Sequence, residues 1–159
     1  MDKEWDGRPD PELLLRQNFP EGESDGKGKL KIFFGYAAGV GKTYAMLDAA
    51  RQEKEAGRDV VAGYIEPHDR PDTMALLDGL EFLPPRTVGY KGIVLREFDL
   101  DAALIRRPDL ILVDELAHTN AQGSRHRKRC QDVTELLDAG INVYTTVNVQ
   151  HLESLHDIV

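Results

Sequence analysis

Four short apolar runs, each separated from the next by a segment with helical spacing, limit the folds open to this 159-residue chain. The runs occupy residues 30–34, 59–66, 109–114 and 141–147. Near-continuous β-branched strands that alternate with helices are typical of a parallel sheet covered on both faces. The pattern therefore predicts an α/β fold, a three-layer sandwich around a mostly parallel central sheet.

The remaining elements follow from helical spacing and from turn residues. Helices are predicted over residues 44–56, 70–80, 99–107 and 127–139. Gly57 and Gly140 follow two of them as C-caps, and Pro108 ends a third. Residues 87–98 predict two short strands joined by a turn at 90–93. We expect the domain to span residues 29–159, and residues 1–28 to form a short helix and a flexible linker.

Composition excludes several classes of function. The formal net charge of −8 argues against non-specific nucleic-acid binding, which requires a basic face. Cys130 is the only cysteine, so an internal disulfide is excluded and a reducing compartment is indicated. The acidic start of the chain is no secretory signal, and no run has the apolar length of a membrane span. We expect a soluble, cytoplasmic domain with no membrane contact of its own.

The stretch GYAAGVGKT, residues 35–43, follows the first predicted strand and opens a helix. Glycines there let backbone amides face a phosphate, and the helix N-terminus adds partial positive charge. This context predicts a P-loop that binds ATP with Mg²⁺, and hence a P-loop NTPase-like fold. Tyr36 stands where the strict motif has glycine, with Gly35 one place early; a glycine-rich turn with a chance lysine is the alternative. The predicted nucleotide-binding residues are Gly39, Val40, Gly41, Lys42, Thr43 and Tyr44.

Two carboxylates end the run LILVDE. Asp114 is predicted to hold Mg²⁺ together with the Thr43 hydroxyl, at the carboxyl end of a strand beside the phosphate loop. Glu115 is placed to orient an attacking water, and Glu66, which ends the preceding strand, competes for that role. His68 is interpreted as a loop residue rather than a catalyst. Asp114 is equally a residue type that ends many strands where they meet solvent.

Two further groups of polar residues have open interpretations. Asn148 and Gln150 follow the last strand, where a side chain can sense a γ-phosphate or cap the next segment. The basic run 125–129 fits a solvated helix start, an arginine such as Arg125 that contacts a neighbouring nucleotide, or a docking patch. Cations are disfavoured at a helix N-terminus, which favours a phosphate or partner contact.

Four stretches together carry a family resemblance: RPDPELLL, GYAAGVGKTYAML, VDELAHTNAQGSRH and KRCQDVTELLDAGINVYTTVNVQHLESL. They resemble the N-terminal cytoplasmic domain of the KdpD family, the sensor histidine kinases of a bacterial potassium-transport two-component system. The resemblance runs from about Arg8 to the end of the chain. It departs from the usual family pattern at Tyr36, Pro67, Gln122, Arg127 and Cys130.

The resemblance implies a regulatory ATP-binding domain of a membrane-anchored kinase that acts as a dimer, with transmembrane and kinase parts beyond residue 159. It implies that Gly39, Gly41, Lys42 and Thr43 hold ATP, together with Asp114 and Glu115. A self-contained ATPase or small-molecule kinase is the alternative function, because the same residues are compatible with turnover. A protein-docking module is a third reading.

Overall fold

A computed structural model describes residues 26–35, 40–66 and 75–148, with Val40 and Asn148 described at the backbone only. Residues 1–25 of the predicted short helix and linker, the first residues of the predicted 70–80 helix, Gly39, His68 and Gln150 lie outside these ranges. The elements, in chain order, are β1 Leu30–Gly35, α1 Val40–Glu55, β2 Val60–Tyr64, β3 Glu81–Phe82, β4 Arg86–Tyr90, β5 Ile93–Glu97, α2 Leu100–Arg106, β6 Leu110–Val113, α3 Arg129–Asp138 and β7 Asn142–Asn148.

The central sheet has five strands in the order β1-β7-β6-β2-β3, and every neighbouring pair in it is parallel. The four strands predicted from apolar runs are all present, which confirms the α/β class and the mostly parallel sheet. β3 was not predicted, because its two residues are exposed and carry no apolar run. Since all five strands point the same way, their carboxyl ends meet at one edge of the sheet.

Alternating side chains of the sheet pack into two separate cores. In β6, Leu110 and Leu112 pack with residues of α1, whereas Ile111 and Val113 pack with residues of α2 and α3. This period-two alternation assigns α1 to one face of the sheet and the other two helices to the opposite face. The described part of the chain therefore has three layers, as predicted.

The predicted turn at 90–93 joins β4 and β5 into an antiparallel hairpin, separate from the central sheet. Tyr90 pairs with Ile93, so the loop has two residues, Lys91 and Gly92. Both have positive φ, at 49° and 83°, which is the geometry of a type I′ turn. Glycine at the second position adopts it without a Cβ clash.

Three helix boundaries differ from the prediction. α1 begins at Val40 rather than 44, so Gly41, Lys42 and Thr43 belong to its first turn. α3 begins at Arg129 rather than 127, because Lys128 is held extended in a β-bridge to Thr119. The predicted helix over 70–80 is wrong in its second half: after Ala75, residues 76–79 form turns. No helix in the described ranges is both long and apolar enough to cross a membrane.

Candidate functional site

The junction between β1 and α1 is fixed by a close approach of Lys42 to Gly35. Lys42 is in the first turn of α1 and is only 9% exposed. A Cβ added to Gly35 would lie 2.9 Å from Lys42 Cδ and 3.3 Å from its Cγ. The lysine stem therefore lies over the last residue of β1, in space that only glycine leaves free. Gly35 has a packing role of its own, whatever the conformation of residues 36–39.

Other residues of this first turn are arranged around the helix start. Thr43 is buried, whereas Gly41 and Tyr44 are exposed. The first turn contains no acidic residue, so the partial positive charge of the helix N-terminus is not neutralised within it. The amides and the lysine at this end of α1 form an electropositive corner at the carboxyl edge of the sheet.

Asp114 follows β6 and is almost completely buried. Its carboxylate accepts one hydrogen bond from the Thr146 hydroxyl and another from the backbone N–H of Glu66, at 3.1 Å. Thr146 lies two residues after Tyr144, which packs with the α1 core, so Thr146 and the Asp114 carboxylate lie on the α1 face of the sheet. A buried carboxylate with neutral donors alone keeps lone pairs for a further ligand.

The spacing between Lys42 and Asp114 follows from the strand order. β7 lies between β1 and β6, and its last residue, Asn148, is in register with Gly35. The strand that precedes Lys42 and the strand that precedes Asp114 are therefore not neighbours. One strand separates β1 from β6, and their axes lie about 10 Å apart. Asn148 ends the intervening strand, so its backbone stands between the two.

Glu115 has an unusual backbone conformation. Its φ is +64°, in the left-handed region that non-glycine residues rarely adopt. Its N–H donates to Thr146 Oγ1 at 2.9 Å, and the next residue, Leu116, donates to the Thr146 carbonyl at 2.8 Å. Thr146 therefore holds the backbone on both sides of Glu115, at a position where strain is often associated with function.

The backbone N–H of Glu66 donates to the Asp114 carboxylate, and the Glu66 side chain is half-buried at the same edge of the sheet. Arg125 is elsewhere: it forms ion pairs with Asp101 and Glu135, both at 2.8 Å, on the α2 and α3 side. The structure thus brings Glu66, Asp114 and Glu115 together. Arg125 is occupied by contacts within the chain.

The basic run contains one residue that none of the three sequence readings anticipated. Arg129 is fully buried, with no solvent exposure. Its Nη1 donates to the Asp114 carbonyl at 2.8 Å, and its guanidinium lies 4.3 Å from the centre of the Tyr64 ring. Burial raises the pKa of the Tyr64 phenol, and the nearby Glu66 charge adds to the effect. A solvated helix start is therefore wrong for Arg129.

A second buried charge accompanies it. Glu97, at the end of β5, lies 3.5 Å from Arg129 Nη2 and 3.0 Å from His118 Nε2. The sequence signal for this pair was weak, because the two residues are 32 positions apart and each stands in an ordinary polar context. The only indication in the sequence that Glu97 is buried is its position at the end of a strand, next to the aromatic Phe98.

Mg²⁺ and a nucleotide fit the residues at this edge. No group of three or more His, Cys, Asp or Glu side chains suited to a metal ion occurs in the described ranges. Mg²⁺ is commonly held by one or two carboxylates together with phosphate oxygens, which is compatible with a single buried Asp114 and the buried Thr43 hydroxyl. Lys42, whose stem lies over Gly35, is a second residue of a type that contacts phosphate groups.

Comparison with known proteins gives a consistent match. The profile of the family described as "KdpD: Osmosensitive K+ channel His kinase sensor domain" matches residues 26–159. Sensor protein KdpD of Clostridium acetobutylicum is 64% identical over 152 residues, and that of Escherichia coli is 59% identical over 152 residues; each alignment covers 96% of this chain. The Mycobacterium tuberculosis protein is 56% identical over 133 residues, or 84% of the chain. The chain spans 17% of the length of the first two relatives and 16% of the third.

Proposed function

The chain belongs to the KdpD sensor-domain family, and we propose that it is an ATP-binding regulatory domain of a sensor histidine kinase that controls potassium-transport genes. In this proposal it is the cytoplasmic part of a membrane-bound, dimeric protein whose kinase portion lies elsewhere. The relatives' names support the sensor role, and the family description supports the association with a histidine kinase. The case for nucleotide binding depends on the residues at the carboxyl edge of the sheet.

The observation that carries this case is the position of Lys42 over Gly35, on the face of the sheet that Asp114 also faces. Lys42 is in the first turn of a helix that follows a parallel strand ending in glycine. A lysine at this position is suited to bind β- and γ-phosphates. The P-loop NTPase-like fold is part of the proposal. The all-parallel sheet with helices on both faces supports it.

Each predicted residue has a role in this proposal. The amides of residues 40–44 would face the phosphates, and Lys42 would contact the β- and γ-oxygens. Thr43 and Asp114 would hold Mg²⁺, which neutralises phosphate charge when bound. Glu115 or Glu66 would orient a water, and Asn148 would report on the γ-phosphate from between the two strands.

We infer that the site senses nucleotide rather than consuming it. A regulatory site needs a segment whose conformation depends on occupancy, and Glu115 opens such a segment in a strained conformation. Nucleotide would favour one arrangement of the segments at 66–70 and 115–127, and the rest of the kinase would read that surface. An ATPase or small-molecule kinase remains the competing function.

Calorimetric titration of the purified chain with Mg-ATP tests the proposal. We expect saturable binding, with affinity reduced at least about a hundredfold in Lys42→Ala. Lys54→Ala, at the exposed far end of α1, is the matched control and should bind as the wild type does. Absence of binding in the wild-type chain would overturn the proposal.

Turnover separates regulation from enzyme activity. We expect phosphate release far below the rate of about 1 per second that is typical of enzymes. Steady turnover at or above that rate, abolished by Glu115→Gln, would instead establish a self-contained ATPase. Glu66→Gln tests the alternative water-orienting residue in the same assay.

A further inference from the structure

A buried arginine connects Asp114 with the start of α3. Arg129 Nη1 donates to the Asp114 carbonyl at 2.8 Å, while Nη2 lies 3.5 Å from Glu97 Oε1. The guanidinium carbon lies 4.3 Å from the centre of the Tyr64 ring. Arg129 is 0% exposed and the Glu97 side chain 6% exposed, so this is a fully desolvated charge pair. Because taking two charges out of water costs much of what their attraction returns, such a pair is weak evidence for stability and invites a functional explanation.

Glu97 extends the connection to the segment between β6 and α3. Its Oε1 accepts from His118 Nε2 at 3.0 Å, and its Oε2 accepts from the Ala121 N–H at 3.1 Å. Arg129 also binds this segment directly, because its own N–H donates to the His118 carbonyl at 3.0 Å. One buried carboxylate therefore holds the segment at two points and contacts the arginine at a third.

The segment itself, residues 116–128, is folded back as one unit, hereafter the 116–128 loop. Thr119 and Lys128 form an antiparallel bridge, and the Asn120 N–H donates to the Arg127 carbonyl at 2.9 Å. Separating its two ends would break both the bridge and this hydrogen bond. Other contacts also tie the loop to the domain, among them Arg125 with Asp101 and Ser124 with Arg86. Glu97 and Arg129 provide its buried, charged connection to Asp114.

We propose that the Arg129–Glu97 pair couples occupancy of the nucleotide site at Asp114 to the conformation of the 116–128 loop, which is the surface that reports nucleotide. The inference rests on the proposed function. Arg129 acts as a positioning residue: it touches the Asp114 backbone and not the nucleotide. A shift of Asp114 toward a bound cation would move the carbonyl to which Arg129 donates. Arg129 would then shift, and its distances to Glu97 and to the His118 carbonyl would change.

Arg129 is not saturated in the observed arrangement. Its Nε has no hydrogen-bond partner among the described residues, although it is fully buried. A coupling element needs two arrangements, and in the proposed second arrangement the unpaired Nε gains an acceptor. The 3.5 Å separation from Glu97 leaves room for a closer ion pair in that second arrangement.

Amide hydrogen exchange of the purified chain, with and without saturating Mg-ATP, tests the coupling. We expect Mg-ATP to slow exchange at Leu116, His118 and Ala121 by about fivefold or more, in the range of ordinary coupling between sites. The tip of the β4–β5 hairpin, at Tyr90 and Ile93, is the internal reference and should be unchanged. A wild-type chain that binds Mg-ATP without slower exchange in the 116–128 loop would overturn the inference and leave the proposed function standing.

Arg129→Lys keeps the positive charge, but its single nitrogen cannot reproduce the separate contacts that Nη1 and Nη2 make with Asp114 and Glu97. We expect it to bind Mg-ATP while the effect on exchange falls below about twofold. Because coupling is reciprocal, its affinity should fall by no more than the factor by which the exchange effect shrinks. Arg106→Lys, the same change at an exposed ion pair far from Asp114, should keep the full effect.

Glu97→Gln provides a second variant in case Arg129→Lys does not fold. Gln keeps an oxygen for the Ala121 N–H but no longer attracts Arg129 as a charge. We expect the same loss of coupling with retained binding. A full exchange effect in either folded variant would contradict the inference. No Mg-ATP binding in the wild-type chain would instead refute the proposed function, and the inference with it.

Discussion

The hydroxyl of Thr146 donates a hydrogen bond to the carboxylate of Asp114. The same hydroxyl accepts from the Glu115 N–H at 2.9 Å, so one buried oxygen fixes both the carboxylate and the strained residue that follows it. Thr145, the preceding residue of β7, is equally buried, yet its hydroxyl finds no partner among the described residues. Two adjacent threonines thus differ in hydrogen bonding and hardly at all in burial.

Thr146→Val should destabilise the chain by about 2 kcal/mol, because it leaves the Glu115 N–H without its partner in a poorly solvated position. It should also weaken Mg-ATP binding, since Asp114 loses the donor that orients it. Urea unfolding and calorimetric titration measure the two effects. Thr145→Val is the matched control, and we expect it to be neutral or slightly stabilising, because it removes a hydroxyl buried without a partner. Equal effects of the two substitutions would contradict this assignment.

A second prediction concerns the opposite edge of the sheet, where Arg106 holds two carboxylates. Its Nη2 lies 2.7 Å from Asp59 and 2.8 Å from Glu81, and its hydrogen bonds lower the pKa of both. A carboxyl whose pKa is lower in the folded state stabilises above its ordinary pKa, and the effect is lost as pH falls through the folded value. Arg106→Gln should therefore lower the melting temperature more at pH 7 than at pH 3. Added salt should shrink the difference at pH 7, because the groups are exposed.

The control for this prediction is Arg58→Gln, which removes an exposed pair with a single carboxylate, Glu53. We expect it to have a smaller effect on the melting temperature than Arg106→Gln. A loss from Arg106→Gln that is the same at pH 7 and pH 3 would show that packing of the arginine stem, and not its charge, stabilises this edge.

Asp132, in the first turn of α3, has a raised pKa, so its effect on stability should change with pH in the opposite direction to that of Asp59 and Glu81. Burial raises the pKa of its carboxyl, although Asn120 donates to it and the cations Arg129 and Arg125 lie nearby. As pH rises above the ordinary aspartate value of about 3.9, the unfolded chain ionises first and the folded state loses relative stability. Asp132→Asn removes this penalty and keeps an oxygen for Asn120. Its stability relative to the wild type should rise as pH increases from about 3 to 7, measured by thermal unfolding at each pH.

The exposed Asp48→Asn in α1 is the control for that series and should show no such gain with pH. If Asp132→Asn instead loses stability relative to the wild type as pH rises from about 3 to 7, the carboxylate's contacts with the surrounding cations outweigh the cost of its burial. Asp132 would then be a stabilising ion-pair member.

The strands and the hairpin turn could be predicted because each depends on a local pattern. The run LILVDE is apolar enough to specify β6 by itself, and Lys91-Gly92 suffices for the two-residue turn. β3 escaped prediction because its pairing with β2 comes from tertiary contacts and not from its own sequence. The strand order, which inserts β7 between β1 and β6, is likewise a property of crossovers that no single segment encodes.

The residues of the candidate site likewise divide into those that the sequence predicts and those that only the folded chain shows. Lys42, Thr43 and Asp114 stand out because they occupy motif positions at strand ends. Arg129 was hidden in a run of cations, where composition indicates a solvated surface. Its burial depends on Glu97 and Tyr64, which are distant in sequence, so only the folded chain separates Arg129 from its neighbours.

Gly35 is the last case, and the structure changes its interpretation. From the sequence it was a glycine one place too early for the strict motif, whereas in the folded chain it is the residue over which Lys42 lies. Gly35→Ala places a Cβ 2.9 Å from Lys42 Cδ, and the flexible lysine stem can move aside. We therefore expect a folded protein with a melting temperature within a few degrees of the wild type, and an affinity for Mg-ATP at least about tenfold lower.

Gly89→Ala in β4 is the matched control, because nothing lies within 4 Å of a Cβ at that position. It should leave binding unchanged and slightly favour the strand, since alanine loses less conformational freedom than glycine on folding. Calorimetric titration of both variants separates the alternatives. Unchanged binding in Gly35→Ala would mean that the position of Lys42 over β1 does not matter to the phosphate. Binding would then depend on other groups, and the contact between the Lys42 stem and Gly35 would be a packing contact only.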